Sequence, residues 1–309
     1  MNRILVLRGG AIGDFVLTLP ALKLLRDRFP KVHLEILGYP RIAALAEKRF
    51  YADAIRPIES ASLAKFFAKD AELPPETVSY FRGFDLIVTY LHDPDGILKD
   101  NLKRCGTAKL LVGPSKLDNS AHAAIQLARP LEALDLHLED SAAHIYPSAE
   151  DRGLARRYLG EKSTPTIALH PSSGSETKNW AVENWIELGG LLLSAGYELL
   201  VIAGEADKKR VRVLESAWIG KPVRFVKHQA LPQLAALFEG GFFVGHDSGI
   251  SHIAAAAGAR CVLLFGWTDP AIWAPTNKDV TVLRALDGKM ENLGLDTVAA
   301  AVRAAWQSG

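Results

Sequence analysis

The chain has 309 residues, 49% hydrophobic and 23% charged, with 36 Lys and Arg against 35 Asp and Glu. That balance excludes disordered and collagen-like chains and leaves no basic excess for reading nucleic-acid backbones; up to position 150 there are 19 basic and 19 acidic residues. Two cysteines, Cys105 and Cys261, exclude a disulfide scaffold or Cys-rich zinc site and suit a reducing cytoplasm, while the length asks for two domains, since single cores rarely exceed ~250–300 residues.

The first apolar run, Ile4-Leu5-Val6-Leu7, stops at Arg8-Gly9-Gly10, too short for a signal-peptide core. No later stretch reaches the ~18–20 apolar residues of a membrane helix. Strands are expected at 4–7, 32–37, 85–91, 110–112, 166–170, 198–203, 223–226, 242–245, 261–265 and 280–283. Helix-period segments fall between them, among them 15–29, 182–195, 231–238 and 251–257, the second stopped by Ala195-Gly196. Residues 63–71 read as a surface helix anchored by Phe66 and Phe67, or as a segment dipping into a membrane surface. Continuous apolar strands alternating with helices are the pattern of parallel sheets covered on both faces. The fold class is α/β.

The layout also repeats. The first strand runs into Arg8-Gly9-Gly10-Ala11-Ile12-Gly13 and a helix; roughly 160 residues later Ile167-Ala168-Leu169 runs into Pro171-Ser172-Ser173-Gly174-Ser175 and another. Each half begins as a Rossmann-like unit does, with a small-residue turn at the carboxyl end of its first strand. Boundaries of 1–155 and 156–309 follow from the polar stretch at 139–165, with the last helix free to pack back on the first domain. Parallel sheets facing each other across a central cleft would place a ligand there.

Three loops carry chemistry. In the first, glycines at 9, 10 and 13 miss the G-x-G-x-x-G spacing of a dinucleotide fingerprint, and Glu35 lies inside its strand rather than at its end. Gly10 and Gly13 still imply a tight turn, and Asp14 stands at the helix start as either a functional carboxylate or an N-cap. In the second, Ser172, Ser173, Gly174 and Ser175 precede Lys178 and Trp180. Hydroxyls, amides and an ammonium suit a diphosphate; a polar loop with a solvated Lys is the alternative. In the third, Asp247, Ser248, Gly249 and His252 follow an apolar strand, where the amides of a new helix attract an anion, or Asp247 or Ser248 simply caps that helix and His252 packs on it. His92-Asp93-Pro94-Asp95 reads as a turn before a metal site, and the nine His show no ligand spacing. Ser248 lies outside a G-x-S-x-G elbow, so a hydrolase triad is unsupported.

Together these motifs resemble glycosyltransferase family 9, the bacterial ADP-heptose:lipopolysaccharide heptosyltransferases. The matching elements are Gly10 to Asp14 with Thr18-Leu19-Pro20, Ser172 to Trp180, Asp247 to Ala255, Phe265 to Pro270 and Trp273-Ala274-Pro275. The resemblance implies a GT-B fold and inverting sugar transfer from an ADP-sugar, without cofactor or metal. It implies Asp14 as general base and Lys178 as the charge opposite the departing diphosphate. Ser172, Ser173, Gly174, Ser175, Asp247, Ser248, Gly249 and His252 would line the donor, and Gly10 and Gly13 the acceptor side. Asp207 matches the family's ribose-holding acid, although Glu205 replaces a proline, as Ala181 does after Trp180. The implied acceptor is a lipid-linked or oligosaccharide inner core, reached from the cytoplasm with peripheral contact at the inner membrane. Lys99, Lys103, Arg104, Lys109 and Lys116 offer a basic edge for an anionic acceptor, or an ordinary solvated face. Another nucleotide sugar or acceptor, a binder without turnover and, more distantly, a dehydrogenase are the rival readings.

Overall fold

The computed structural model describes residues 1–159, 165–204 and 208–307. The chain divides into two compact units, Met1–Ala142 and Ala143–Gly309, so residues 143–155 go with the second.

The first unit is built on five parallel strands: β1 (Arg3–Arg8), β2 (His33–Gly38), β3 (Ala54–Pro57), β4 (Leu86–Thr89) and β5 (Leu110–Val112), in the order β3-β2-β1-β4-β5. Ile4, Leu5, Val6 and Leu7 are fully buried, as a central strand covered on both faces requires. β3 has no counterpart in the apolar pattern. It is an edge strand, half-exposed, reading Ala-Ile-Arg-Pro, and an edge needs neither an apolar run nor every N–H. The first helix, Ile12–Arg28, begins three residues before the apolar period suggests. Phe66 and Phe67 do not form a shared surface anchor. Phe66 is fully buried in a cluster with Phe81, Phe84 and Leu98, and Phe67 is exposed.

The second unit holds six parallel strands: β6 (Thr166–His170), β7 (Glu198–Ala203), β8 (Val223–Lys227), β9 (Phe242–His246), β10 (Arg260–Phe265) and β11 (Val280–Arg284). Their order is β11-β10-β9-β6-β7-β8. Trp180, Trp185, Leu188 and Trp218 pack on one face of this sheet. The helix Leu295–Gln307 buries Val298, Ala299, Val302 and Ala305 in the same core. Gly189 makes the Trp218 contact feasible, since a β-carbon there would stand 2.3 Å from the indole.

Strand order locates the crevices. In the first sheet the chain leaves β1 toward β2 and β3, then returns to β1's other side with β4. In the second it leaves β6 toward β7 and β8, then returns to β6's other side with β9. Such reversals open a crevice at the carboxyl ends of the two strands that flank them. Asp14 follows β1, the Lys178 loop follows β6, and Asp247 follows β9.

Candidate active site

In the first unit, β1 ends at Arg8, and Gly9 and Gly10 turn the chain into the helix. Gly10 adopts a φ of +93°, a conformation that only glycine adopts without strain. The N-cap is Ala11, so Asp14 is not the capping residue; it occupies the third helical position. Its Oδ2 accepts the Ala11 N–H at 2.9 Å, which is the backward half of a capping box. Arg8 holds the same residue from beneath. Its Nη2 donates to the Asp14 carbonyl at 2.7 Å and its Nε to Thr18 Oγ1 at 2.9 Å, while Thr18 donates to the Asp14 carbonyl at 2.7 Å. Burial lowers the Arg8 pKa and the nearby Asp14 carboxylate opposes that shift. Asp14 itself remains half-buried.

Glu35 has a different task from the ribose-binding acid of a dinucleotide fold. It is 3% exposed within β2. Arg56 meets it at 2.8 Å, Arg3 at 3.7 Å and the Tyr80 hydroxyl at 2.7 Å. Asp93, from the His92–Asp95 turn, accepts the N–H groups of Leu98 and Lys99 at 3.0 and 2.9 Å and so orders the start of the helix Ile97–Arg104. The basic residues at 99, 103, 104, 109 and 116 are all exposed.

In the second unit, side-chain contacts fasten together the segments that end β6 and β9. Lys178 Nζ lies 2.5 Å from Asp247 Oδ2, with side chains 22% and 9% exposed. Two residues further on, the Trp180 N–H donates to His246 Nε2 at 2.8 Å, and both residues are fully buried. Burial is the main cause that pulls the His246 pKa down to about 3; His170 and Arg210 add to it and the Ser172 backbone opposes it. His246 is therefore a neutral acceptor, and its ring meets Trp185 edge-on at 5.3 Å. Trp180 is held at its other end by its indole N–H, which donates to the Leu293 carbonyl at 2.7 Å.

The serines differ in what they offer. Ser173 Oγ donates to the Ser175 carbonyl at 2.8 Å, and the Ser173 N–H donates to Asn179 Oδ1 at 2.7 Å, so this residue shapes the loop. Ser175 Oγ pairs with Thr177 Oγ1 at 2.8 Å. Gly174 is exposed, with open space where a β-carbon would be. Ser172 is 3% exposed, and its buried hydroxyl has no hydrogen-bond partner among the described residues. An orphaned buried hydroxyl is costly unless something completes it. Ser248 is the N-cap of the helix Gly249–Ala256, its Oγ accepting from Ser251 N at 3.4 Å and lying 3.4 Å from His170 Nδ1. His252 is buried in that helix. Asp207 and its neighbours Glu205 and Ala206 lie outside the described residues.

The motif reading did not single out His170, His246, Asn179 or Arg210. His170 and His246 end apolar strands at the reversal point, and that signal was available: a polar residue closing a buried strand. Arg210, whose guanidinium donates to the Trp180 carbonyl at 3.0 Å and to Glu176 Oε2 at 3.2 Å, belongs to a distant helix and left no local trace.

An ammonium held by a carboxylate beside a helix N-terminus can bind and neutralise phosphate oxygens. Comparison with known proteins gives this chemistry a family. Residues 118–300 match the family model of glycosyltransferase family 9 (heptosyltransferase). The chain is 24% identical over 320 residues to lipopolysaccharide heptosyltransferase 1 of Escherichia coli K12, covering 96% of this chain and 98% of that protein. A family 9 glycosyltransferase of Veillonella parvula superposes with a TM-score of 0.83 at 17% identity, covering 100% and 98% of the two chains. An E. coli heptosyltransferase solved with ADP superposes with a TM-score of 0.73 at 17% identity, covering 98% and 99%. The two parallel sheets with their helices are the GT-B fold of these structures.

Proposed function

Because the chain belongs to glycosyltransferase family 9, the heptosyltransferases of lipopolysaccharide core assembly, we propose that it transfers heptose from ADP-heptose, with inversion, to an inner-core acceptor. The observation that carries this reading is the Lys178–Asp247 pair, set at the reversal point of the second sheet between a serine loop and a helix start. Ser172, Ser173, Gly174 and Ser175 with Asp247, Ser248 and Gly249 form the donor side, His252 supports the helix behind them, and Asp207 is proposed as the ribose contact. Gly10 and Gly13 are proposed to border the acceptor beside Asp14.

In the reaction, the acceptor hydroxyl oxygen bonds to the anomeric carbon as that carbon's bond to the diphosphate oxygen breaks. Asp14 takes the hydroxyl proton. ADP departs with the bonding electron pair, and Lys178 meets the charge that develops on it. One displacement inverts the anomeric carbon. No step calls on a metal or cofactor, so the proposal includes turnover in a chelator.

No helix among the described residues is long and apolar enough to cross a membrane. A lipid-linked acceptor would bring the enzyme to the cytoplasmic face of the inner membrane, with the basic edge at 99–116 available to an anionic glycan.

The test supplies the purified chain with ADP-heptose and heptose-deficient lipopolysaccharide in EDTA and follows ADP release. Release that needs both substrates is expected. Turnover with another nucleotide sugar alone would overturn the donor, and tight ADP-heptose binding without turnover would make the chain a binder. In a thermal-shift panel, ADP should exceed GDP, UDP and NAD, because a ligand at 100 times its Kd adds about 2.7 kcal/mol. Equal shifts would remove the ADP assignment.

A further inference from the structure

Trp267 is an exposed aromatic beside Lys178, and neither the fold nor the proposed reaction has used it. It follows β10, the neighbour of β9 on the side away from β6. Its side chain is largely in solvent, at 60% exposure, an unusual setting for an indole. The Lys178 ammonium lies 5.2 Å from the ring centroid, within cation–π range.

The backbone that presents this ring is fixed on both sides. A β-carbon on Gly266 would stand 3.0 Å from the Gly288 carbonyl, and one on Gly288 would stand 3.1 Å from Trp267 Cα. Thr268 is buried, and Asp269 caps the short helix Pro270–Trp273 by accepting the Ala271 N–H at 3.0 Å. An exposed ring on an anchored backbone is preorganised, so a partner that stacks on it needs little further ordering.

The occupant follows from the order of groups along a nucleotide sugar. The bond that breaks joins the sugar to the distal phosphate, so the charge Lys178 meets develops there. A ring 5.2 Å from that ammonium is close to the sugar, whereas the base stands two phosphates and a ribose away. We propose that Trp267 is the wall against which the transferred sugar of the donor stacks, its indole face covering the C–H face of the pyranose. This rests on the reading of Lys178 as the diphosphate cation. It adds a residue that senses the sugar and is indifferent to the nucleotide.

The experiment is calorimetric titration of the full chain, without acceptor, using ADP and ADP-heptose as separate ligands. Trp267→Ala should weaken ADP-heptose about two- to tenfold, the range of one aromatic contact, and leave ADP unchanged. Trp267→Phe should recover most of that loss. Since the side chain is exposed, both variants should melt as the wild type does. Equal weakening toward ADP and ADP-heptose would overturn the proposal, as would no weakening toward either. Lys178→Ala separates the underlying reading: if it binds both ligands as the wild type does, the diphosphate assignment fails and this proposal with it. A loss of ADP binding in Lys178→Ala together with unaltered ADP-heptose binding in Trp267→Ala sinks the stacking wall alone.

Discussion

Gly10 lies so close to Asp14 that a β-carbon on it would stand 2.8 Å from Asp14 Oδ2. The turn that admits the helix and the carboxylate in its first turn therefore share one small volume. Gly10→Ala meets two obstacles at once, a φ of +93° and a displaced carboxylate. It should lose about 1–3 kcal/mol of stability in urea unfolding, and turnover should fall further than stability does. Gly174→Ala, with open space at its β-carbon, should stay within about 0.5 kcal/mol of wild type. A Gly10→Ala protein with wild-type turnover would show that the carboxylate tolerates movement.

Asp14→Asn separates a base from a mere acceptor of the Ala11 N–H. The Asn amide oxygen can accept the Ala11 N–H as Oδ2 does, so melting temperature and ADP affinity should hold. An amide cannot take a proton at neutral pH. Turnover should fall by roughly 10²–10⁴, the usual contribution of a positioned base. Wild-type turnover in Asp14→Asn would leave this residue as a helix-start acceptor and nothing more.

Lys178→Ala removes the cation and strands Asp247, 9% exposed, without its partner. Both ADP affinity and turnover should drop. Lys178→Arg keeps the charge, but a planar guanidinium cannot place it at the same point, so binding should survive better than rate. Steady-state kinetics and ADP titration on the two variants would expose an error: unchanged values in Lys178→Ala would leave the Lys178–Asp247 pair as a fastening between two loops and nothing more.

His246 should make stability depend on pH in a defined window. Its folded pKa of about 3 lies below the ordinary value of 6.5, so below pH 6.5 the unfolded chain binds the proton that the folded one refuses. The stabilising contribution is complete above about pH 6.5 and is lost progressively as pH falls toward 3. Between pH 7 and 5 that is about 2 kcal/mol from this group. His246→Gln places an amide oxygen where Nε2 accepts the Trp180 N–H and cannot titrate in this range. Chemical denaturation at both pH values should show a shallower loss in the variant; parallel losses would refute the assignment.

The strands and the three loops were legible because their causes are local. A strand covered on both faces must be apolar along its length, as Ile4 to Leu7 and Phe242 to Val244 are, and a loop that handles phosphate must gather hydroxyls, amides and a cation after such a strand. The resemblance of these loops to a known family rested on the same stretches. β3 escaped because an edge strand has no such requirement, and Asp14 was open to reading as the cap because which residue adopts the extended Ala11 conformation depends on how Arg8 and Gly10 set the turn. The decisive pairings were beyond any local pattern. Lys178 and Asp247 are 69 residues apart, and Trp180 and His246 are 66 apart. They meet because β9 returns to β6 on the side that β7 left open, a choice made by the packing of the whole sheet. Sequence determined which polar and charged groups gather after the strands; strand order determined which of them touch, since contacts between distant loops exist only once the sheet beneath them is assembled.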